Sequence, residues 1–368
     1  MKRLFISLSV FIWICKGEDI ENLVNIRKTL KVLHVVFRHG DRSPDQLYPN
    51  DIYTEETFYP MRIGELTNKG KMTEFRIGKS LRRRYKAFLP KTYTPEIISS
   101  VSSHMSRNKA SLELVLAGLF PPTRDITWNK NLLWEPIPYD SVEKSKNKLF
   151  LTAVACPNYP EVERNVSLYY KNPTALKYQP LLPFLQNASG FKENEILTMG
   201  WYLYSILKSE DEWGLELPDW TKSVYPDILK ELSEQYWVLI SKGDLKPLTS
   251  GFLVSTILNN TDCTINNLNS SCNNTKIYLY SGHDTNIAGL LAFLDNFVPH
   301  NPNYGAHIMI EVHNISGEIY LKFLHENYDH NEPEILEIPN CGKVCKLETF
   351  KQNYGKEIDT QYLNKLCG

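Results

Sequence analysis

The segment Leu30–Phe37 is an almost continuous run of apolar residues, and it ends abruptly in the charged sequence Arg38–Arg42. An apolar run without alternation is typical of a strand that is covered on both faces of a sheet. The charged residues that follow it have two interpretations. Either they form a solvated turn held by internal ion pairs, or they form a functional site at the sheet edge where the buried strand ends.

The same order of strand, polar turn and helix is predicted three times along the chain. The predicted pairs are Leu30–Phe37 with Thr67–Leu89, Glu96–Val101 with Asn108–Leu119, and Lys276–Tyr280 with Thr285–Leu294. Near the end, His307–His313 and Glu318–Leu324 flank a short turn and predict a hairpin. The repetition favours an α/β fold with a central, mostly parallel sheet flanked by helices.

Residues 156–251 are rich in Tyr, Trp and helical patterning and poor in alternating runs. They predict a smaller, mainly helical subdomain that is inserted into the α/β domain, which then consists of residues 18–155 and 252–368. With 368 residues, of which 42% are hydrophobic, the chain is long and apolar enough to build a large core.

The N-terminus has the pattern of a secretory signal. Lys2 and Arg3 precede the apolar segment Leu4–Cys15, which is too short to span a membrane. We therefore assign residues 1–17 to a signal peptide. No later stretch is long and apolar enough to span a bilayer, so we expect a secreted, extracellular product without a membrane anchor.

The charge balance gives no sign of a nucleic-acid partner. The formal net charge is −1, whereas nucleic-acid binders usually carry a basic excess or stripe. The one basic cluster, Arg82–Arg84, lies in a helical pattern, and we interpret it as a solvated helix face.

The cysteine count supports export. Once Cys15 is assigned to the signal peptide, six cysteines remain, and an even set in an exported chain indicates three disulfides. Six cysteines allow 15 connectivities. Short loops favour Cys263–Cys272 and Cys341–Cys345, and that choice leaves Cys156 with Cys367. Paired CxxC motifs are lacking, so we predict no structural zinc site.

The chain also carries sequons, the acceptor sequences for N-glycosylation. They are Asn165, Asn187, Asn259, Asn269, Asn273 and Asn314. Three of them fall within the polar stretch Asn259–Thr275, which we therefore predict to be an exposed loop.

Three polar clusters follow the three predicted strands: Arg38–Arg42, Ser106–Asn108 and His283–Asp284. Ligands of open α/β sheets bind at the carboxyl ends of the strands, so these clusters converge if the strands are neighbours. Three arginines in one place repel one another unless an anion lies between them. A phosphate group fits, because planar guanidinium groups match its oxygens and its charge.

Each residue of the converging set has a chemical role in phosphoryl transfer. Positive surroundings favour the neutral form of His39, whose imidazole can then attack phosphorus and form a phosphohistidine. Asp284 can protonate the leaving alcohol. The phosphoryl oxygens are bound by side chains alone, so we predict neither a metal nor a cofactor. The phosphate-binding set is Arg38, Arg42, Arg107 and His283.

These residues also carry a resemblance to a known family. Arg38–Pro44 fits the signature RHGxRxP in full, and Tyr280–Thr285 contains the distant His-Asp pair. On these motifs the chain resembles the histidine acid phosphatases, a branch of the histidine phosphatase superfamily. Leu66–Gly70, Arg107–Pro122 and Trp134–Pro138 extend the likeness over most of the mature chain. Among members it most resembles the secreted acid phosphatases of the insect-venom and prostatic types, and it is less similar to the phytases.

The resemblance implies the roles given above: His39 is the phosphorylated nucleophile and Asp284 the proton donor. It implies the same four phosphate-binding residues, a Cys341–Cys345 bridge and a link from Cys156 to Cys367. The chain departs from the family at His104 and Ser106, where many relatives have acidic residues. This departure puts the orientation of Arg107 in doubt.

The sequence therefore predicts a secreted acid phosphatase that hydrolyses small phosphate monoesters. One alternative is a phytase or inositol-polyphosphate phosphatase, which needs additional Lys or Arg near the motifs; the segments beside them are not obviously basic. A second alternative is a secreted binding or toxin-like protein with the same fold and little turnover, against which the intact catalytic set argues. The sequence does not fix the oligomeric state and leaves a homodimer open.

Overall fold

The computed structural model describes residues 20–268, 272, 274–330 and 332–368. The predicted signal peptide and the sequons Asn269 and Asn273 lie outside these residues. At the centre of the described part is one mixed sheet of eight strands. The strands are β1 (Leu30–Arg38), β2 (Ile98–Ser102), β3 (Asp140–Ser141), β4 (Ile277–Gly282), β5 (His307–Ile315), β6 (Glu318–Glu326), β7 (Glu334–Ile335) and β8 (Cys345–Lys346).

The strand order is β3-β2-β4-β1-β5-β6-β7, and β8 pairs with β6. The strands from β3 to β1 are parallel, whereas β1 pairs antiparallel with β5 and the predicted hairpin continues the sheet. The predicted fold class is confirmed, with the parallel pairs concentrated at the centre. In register, Arg38 lies opposite Gly282 and Ser102 opposite Ser281, so three neighbouring strands end together at one edge.

The described part of the chain also forms α-helices, which pack on the sheet or in a separate helical core. They are α1 (Ile20–Leu23), α2 (Asn68–Arg84), α3 (Ser106–Leu119), α4 (Thr152–Ala155), α5 (Tyr159–Tyr169), α6 (Pro173–Tyr178), α7 (Leu182–Ser189), α8 (Ile196–Trp213), α9 (Asp227–Leu239), α10 (Leu245–Asn266), α11 (Asp284–Phe293), α12 (Leu347–Tyr354) and α13 (Thr360–Cys367). Short 3-10 segments occur at Glu55–Phe58, Pro95–Ile97, Lys144–Lys146, Gln179–Leu181 and Asp219–Ser223.

Strand β1 is apolar throughout because both of its faces are buried. Leu33, Val35 and Phe37 belong to the core formed with α2 and α3. Val32 and Val36 belong to the opposite core, which includes residues of α10 and α11. His34 is fully buried on that side, where its ring nitrogens lie 2.9 Å from the hydroxyl of Thr261 and 3.2 Å from that of Tyr280. His34 is therefore a core histidine with both ring nitrogens satisfied.

Helix α2 begins where the sequence predicts and ends earlier. The hydroxyl of Thr67 accepts a hydrogen bond from the backbone N–H of Gly70 at 3.0 Å, so Thr67 is the N-cap. The helix ends at Arg84 rather than Leu89. The guanidinium of Arg82 donates to the carbonyl oxygens of Leu89 and Pro90 and so holds the chain in a turn. Arg82 is thus half-buried and structural, which corrects part of the predicted solvated face.

The helices α5 to α9 share a third core, which contains Leu203 and Leu207 of α8 and Leu229 and Leu232 of α9. Helix α10 joins this core to the sheet, because Leu245 and Leu248 pack in the helical core while Leu253 and Ile257 pack in the core of the sheet. The boundaries of the inserted subdomain, 156 and 251, remain a prediction.

The prediction of an exposed loop from Asn259 to Thr275 is wrong in its first part. Helix α10 continues to Asn266, because Ile257, Leu258 and the Thr261–His34 hydrogen bond fix one face of it in the core. Asn259 lies exposed on the other face of the helix. The sequons Asn165 and Asn187 are also exposed, and Asn314 is half-buried.

Three disulfides link Cys156 with Cys367, Cys263 with Cys272 and Cys341 with Cys345. These are the pairs that the short loops favour. Among residues 20–268, 272, 274–330 and 332–368, no helix combines the length and apolarity needed to cross a bilayer.

Candidate active site

The predicted clusters meet where β1, β2 and β4 end. The backbone N–H of His39 donates to the carbonyl oxygen of Gly282 at 3.2 Å, which ties the loop after β1 to the end of β4. The side chain of Asn108, in the first turn of α3, donates to that same carbonyl. The rings of His39 and His283 have their centroids 5.7 Å apart. The register of the sheet thus brings distant segments into one site.

His39 is held in its neutral form. Its Nδ1 lies 2.9 Å from the carbonyl oxygen of Gly40. Because a carbonyl oxygen only accepts, Nδ1 carries the proton and Nε2 keeps its lone pair. The pKa of His39 lies well below 6.5, chiefly because the ring is buried and then because Arg107 and Arg38 are near. Burial is therefore a larger cause than the positive charge from which the sequence analysis argued.

Arg38 and Asp284 form an ion pair across the site. The Arg38 Nη2 and Asp284 Oδ2 atoms lie 2.8 Å apart, and the Arg38 guanidinium lies 4.2 Å above the centre of the Tyr304 ring. Asp284 is the first residue of α11, and its Oδ1 accepts a hydrogen bond from the N–H of Thr285 at 2.9 Å. Its side chain is 18% exposed, so the carboxyl group can be reached from solvent.

Arg42 and Arg107 share one carboxylate. Asp45 Oδ2 lies 3.4 Å from Arg42 Nη2 and 3.9 Å from Arg107 Nη2. Arg42 also donates to the hydroxyl groups of Ser205 and Ser209 on α8, at 3.0 and 3.3 Å. Burial, together with the nearby Arg42, lowers the pKa of Arg107 to about 10, so this guanidinium still carries its charge at acidic pH.

The departure at His104 and Ser106 leaves Arg107 with a different partner. Asp45, from the loop after β1, supplies the carboxylate that pairs with Arg107. The Nδ1 of His104 lies 3.5 Å from the side-chain amide of Asn147 instead. The orientation of Arg107, which the sequence analysis left in doubt, is therefore set from the other side of the site.

His283 is the N-cap of α11 and is buried beside the arginines. Its Nε2 lies 2.9 Å from the hydroxyl of Ser103. Burial, followed by the charge of Arg107, holds the pKa of His283 well below 6.5. A neutral His283 leaves the three arginines as the positive charges of the site.

Asp41 faces away from the arginines of the site. Its carboxylate forms an ion pair with Lys69 at 2.7 Å and accepts a hydrogen bond from Thr73 at 3.4 Å. These residues line a cleft of about 330 Å³ beside Tyr304. Asp41 therefore belongs to the wall of this cleft, next to the site.

Sequence reasoning missed several residues of the site. Asp45 follows Pro44 directly, and its proximity to the signature was the available signal. Ser205 and Ser209 are four residues apart on one face of α8, a spacing that is common in any helix. Tyr304 lies in a segment with no pattern. In the described part of the chain, no three His, Cys, Asp or Glu side chains are grouped as ligands for a metal ion.

Comparison with known proteins agrees with this geometry. The family model described as "Histidine phosphatase superfamily (branch 2)" matches residues 29–326. The venom acid phosphatase of Apis mellifera is 35% identical over 338 residues, which cover 90% of this chain and 86% of that protein. The prostatic acid phosphatase of Rattus norvegicus is 31% identical over 350 residues, which cover 93% of this chain and 90% of that protein.

Solved structures with the same fold include bacterial phytases. The phytase of Citrobacter braakii aligns with a TM-score of 0.67 and 17% identity, covering 91% of this chain and 99% of that one. The Hafnia alvei phytase in complex with myo-inositol hexakis sulphate aligns with a TM-score of 0.66 and 18% identity, covering 90% and 97%. At these identities the likeness shows the fold alone. By its family match and its relatives, this chain belongs to branch 2 of the histidine phosphatase superfamily.

Proposed function

We propose that the protein is a secreted acid phosphatase that hydrolyses phosphate monoesters through a phosphohistidine. One observation carries this proposal. A buried imidazole with a free Nε2 lone pair, that of His39, lies near three guanidinium groups, and one of these, that of Arg38, is paired with the carboxyl group of Asp284. A neutral nucleophile, a cradle for an anion and a proton donor are the groups that this reaction needs.

The first half of the proposed reaction transfers the phosphoryl group to the enzyme. The lone pair of His39 Nε2 attacks phosphorus, and the bond between phosphorus and the alcohol oxygen breaks. Asp284 gives its proton to that oxygen, so the alcohol leaves neutral. Arg38, Arg42 and Arg107 bind the phosphoryl oxygens. Because Arg38 pairs with Asp284, a bound phosphate competes for this guanidinium and weakens its attraction for Asp284.

The second half releases phosphate. The carboxylate of Asp284 takes a proton from water while the water oxygen attacks phosphorus and the P–N bond breaks. His39 then regains its lone pair. Acidic conditions suit the first half, because Asp284 must start protonated while His39 stays neutral well below pH 6.5.

The proposal of secretion rests on three disulfides, exposed sequons and a venom protein among the relatives. Disulfides persist in oxidising compartments and are rare in the cytosol. The predicted signal peptide at residues 1–17 would direct this export.

The test is the His39→Ala variant, compared with wild type on an aryl phosphate at pH 5. We expect the rate to fall by at least about a thousandfold, because alanine has no lone pair to attack phosphorus. Phosphohistidine hydrolyses in acid and is stable in alkali, so the intermediate is trapped by an alkaline quench of the reaction with a phosphorus-32 substrate. His330→Ala, at an exposed histidine, is the matched control and should keep full activity.

Two results would contradict the proposal. Full activity of His39→Ala would remove His39 from the nucleophilic role. A wild-type protein that binds vanadate but hydrolyses no monoester would favour the alternative of a binding protein with the same fold.

A further inference from the structure

A groove continues from the site along helix α2. The first cleft, of about 330 Å³, is lined by Lys69 and Arg76 of α2 together with Lys208 and Tyr304. A second cleft, of about 650 Å³, is lined by Arg76, Lys79 and Arg83 of the same helix. Arg76 and Tyr328 line both clefts, so the two adjoin and together form what we call the α2 groove.

One face of α2 forms the wall of this groove. Lys69, Thr73, Arg76, Ser80 and Arg83 follow one another at intervals of three or four residues, the spacing that places side chains on one helix face. At 1.5 Å per residue, Lys69 and Arg83 lie roughly 21 Å apart along the helix axis. The groove is therefore much longer than a phosphate group, and it begins beside Tyr304, which stacks on Arg38.

The wall carries positive charge that the protein does not neutralise. Asp41 pairs with Lys69, Glu212 with Lys208, and Glu332 with Arg84. Arg76, Lys79 and Arg83 are exposed, and within the described residues no carboxylate forms an ion pair with any of them. Three cations on one face attract an anionic ligand and raise its local concentration.

The opposite wall contains both apolar and polar groups. Met309, Pro333 and Tyr328 line the second cleft together with the carboxylate of Glu326. Tyr328, at the junction of the clefts, has a positive φ of 63°, which is unusual for an aromatic residue and is often found at ligand sites. A peptide suits this groove better than a purely ionic polymer does. Its acidic side chains can contact the cations of α2, and its backbone and apolar groups can contact the opposite wall.

We infer that the α2 groove binds an acidic peptide chain on the leaving-group side of the phosphate. The preferred substrates would then be phosphate monoesters carried on peptides with several negative charges beside the phosphorylated residue. This inference rests on the proposed function for its substrate, while the groove itself can be tested without turnover.

The test compares two peptides with one phosphoserine each, flanked by six aspartates or by six asparagines. Six extended residues span roughly 20 Å, which matches the groove. We expect wild type to prefer the acidic peptide by about tenfold in kcat/KM at low salt. The preference should shrink as salt is raised, because exposed charges are screened.

The decisive variant combines Arg76→Gln, Lys79→Gln and Arg83→Gln, and it should lose the preference while keeping wild-type activity on a small aryl phosphate. The matched control, Lys71→Gln with Lys86→Gln and Lys91→Gln, neutralises three exposed lysines that line neither cleft and should keep the preference. An unchanged preference in the groove variant would overturn the inference. The inference would also be overturned if the groove variant lost turnover of a compact inositol polyphosphate but kept wild-type turnover of the acidic peptide.

A binding measurement separates this inference from the proposed function. Fluorescence anisotropy of the unphosphorylated aspartate peptide needs no catalysis, and we expect about tenfold weaker binding to the groove variant than to wild type. If the protein hydrolyses no monoester but the groove variant binds the peptide more weakly than wild type, the proposed function is wrong and the inferred peptide site is supported. Equal binding to both proteins would overturn the groove.

Discussion

The backbone of Gly40 packs directly against the backbone of Gly70: a Cβ atom on Gly40 would lie 2.5 Å from the Gly70 carbonyl oxygen. The loop after β1 and the first turn of α2 therefore touch main chain to main chain. The N–H of Thr67 adds a hydrogen bond of 2.9 Å to the carbonyl of Asp41. This contact fixes the position of His39, which precedes Gly40 in the loop.

Gly40→Ala should accordingly destabilise the protein and misplace the nucleophile. The added methyl group meets backbone, which cannot rotate away, so we expect a loss of about 1–3 kcal/mol in the free energy of unfolding. Activity on an aryl phosphate should fall as well, since His39 is the adjacent residue. Thermal unfolding and kcat measure the two effects. Lys71→Ala, at an exposed position on α2, should change neither.

Asp45→Asn tests the carboxylate that Arg42 and Arg107 share. Without it the two guanidinium groups repel each other in the ligand-free protein, and we expect a loss of about 0.5–1 kcal/mol, limited by the partial exposure of Asp45. Phosphate replaces the missing charge, so it should raise the melting temperature of the variant more than that of wild type. Asp125→Asn, at an exposed aspartate, is the control. Equal stabilisation of wild type and Asp45→Asn by phosphate would exclude this role.

Asp284→Asn tests the proton donor. A poor leaving group needs protonation and a good one does not, so kcat/KM for an alkyl phosphate should fall by about a hundredfold or more. The loss for a nitrophenyl phosphate should be much smaller. Asp227→Asn also removes a carboxylate from the first residue of an exposed helix end and should leave both substrates unaffected. Equal losses on the two substrates would argue that Asp284 positions Arg38 and donates no proton.

Glu210 of α8 gives the protein a pH-dependent stability. Burial, followed by repulsion from Asp51, raises the pKa of this carboxyl from 4.5 to about 9. Between these values the unfolded chain loses the proton and the folded chain keeps it, so stability is greatest below pH 4.5 and falls as pH rises towards 9.

Glu210→Gln removes this penalty without changing the shape of the side chain. We expect it to raise the melting temperature at pH 8, on the order of 5 °C, and to have a much smaller effect at pH 5. Glu161→Gln, at an exposed glutamate, should follow the pH dependence of wild type. An equal rise in melting temperature at pH 8 and pH 5 would show that the charge of Glu210 does not cause the pH dependence.

Local sequence patterns predicted most of the elements that carry the site. Strand β1 was predictable from its apolar run, because a strand buried on both faces can contain few polar residues. The start of α2 at Thr67 was predictable because an N-cap needs a short polar side chain. The end of α2 was not predictable from local sequence, because the guanidinium of Arg82 donates to the carbonyl oxygens of Leu89 and Pro90 beyond the helix. The helical state of Asn259 was missed for a similar reason: the other face of α10 packs in the core.

By itself the sequence predicted the residues of the proposed reaction, because the signature around His39 and the pair His283–Asp284 are typical of that chemistry in residue type and order. Only the tertiary structure decided how their charges are balanced. The pairing of Asp45 with Arg107, and of Arg38 with Asp284, joins segments that are distant in sequence. The same holds for the cations of α2, which are an ordinary solvated helix face in the sequence. They become the wall of a groove because Tyr304 and Tyr328 pack opposite them.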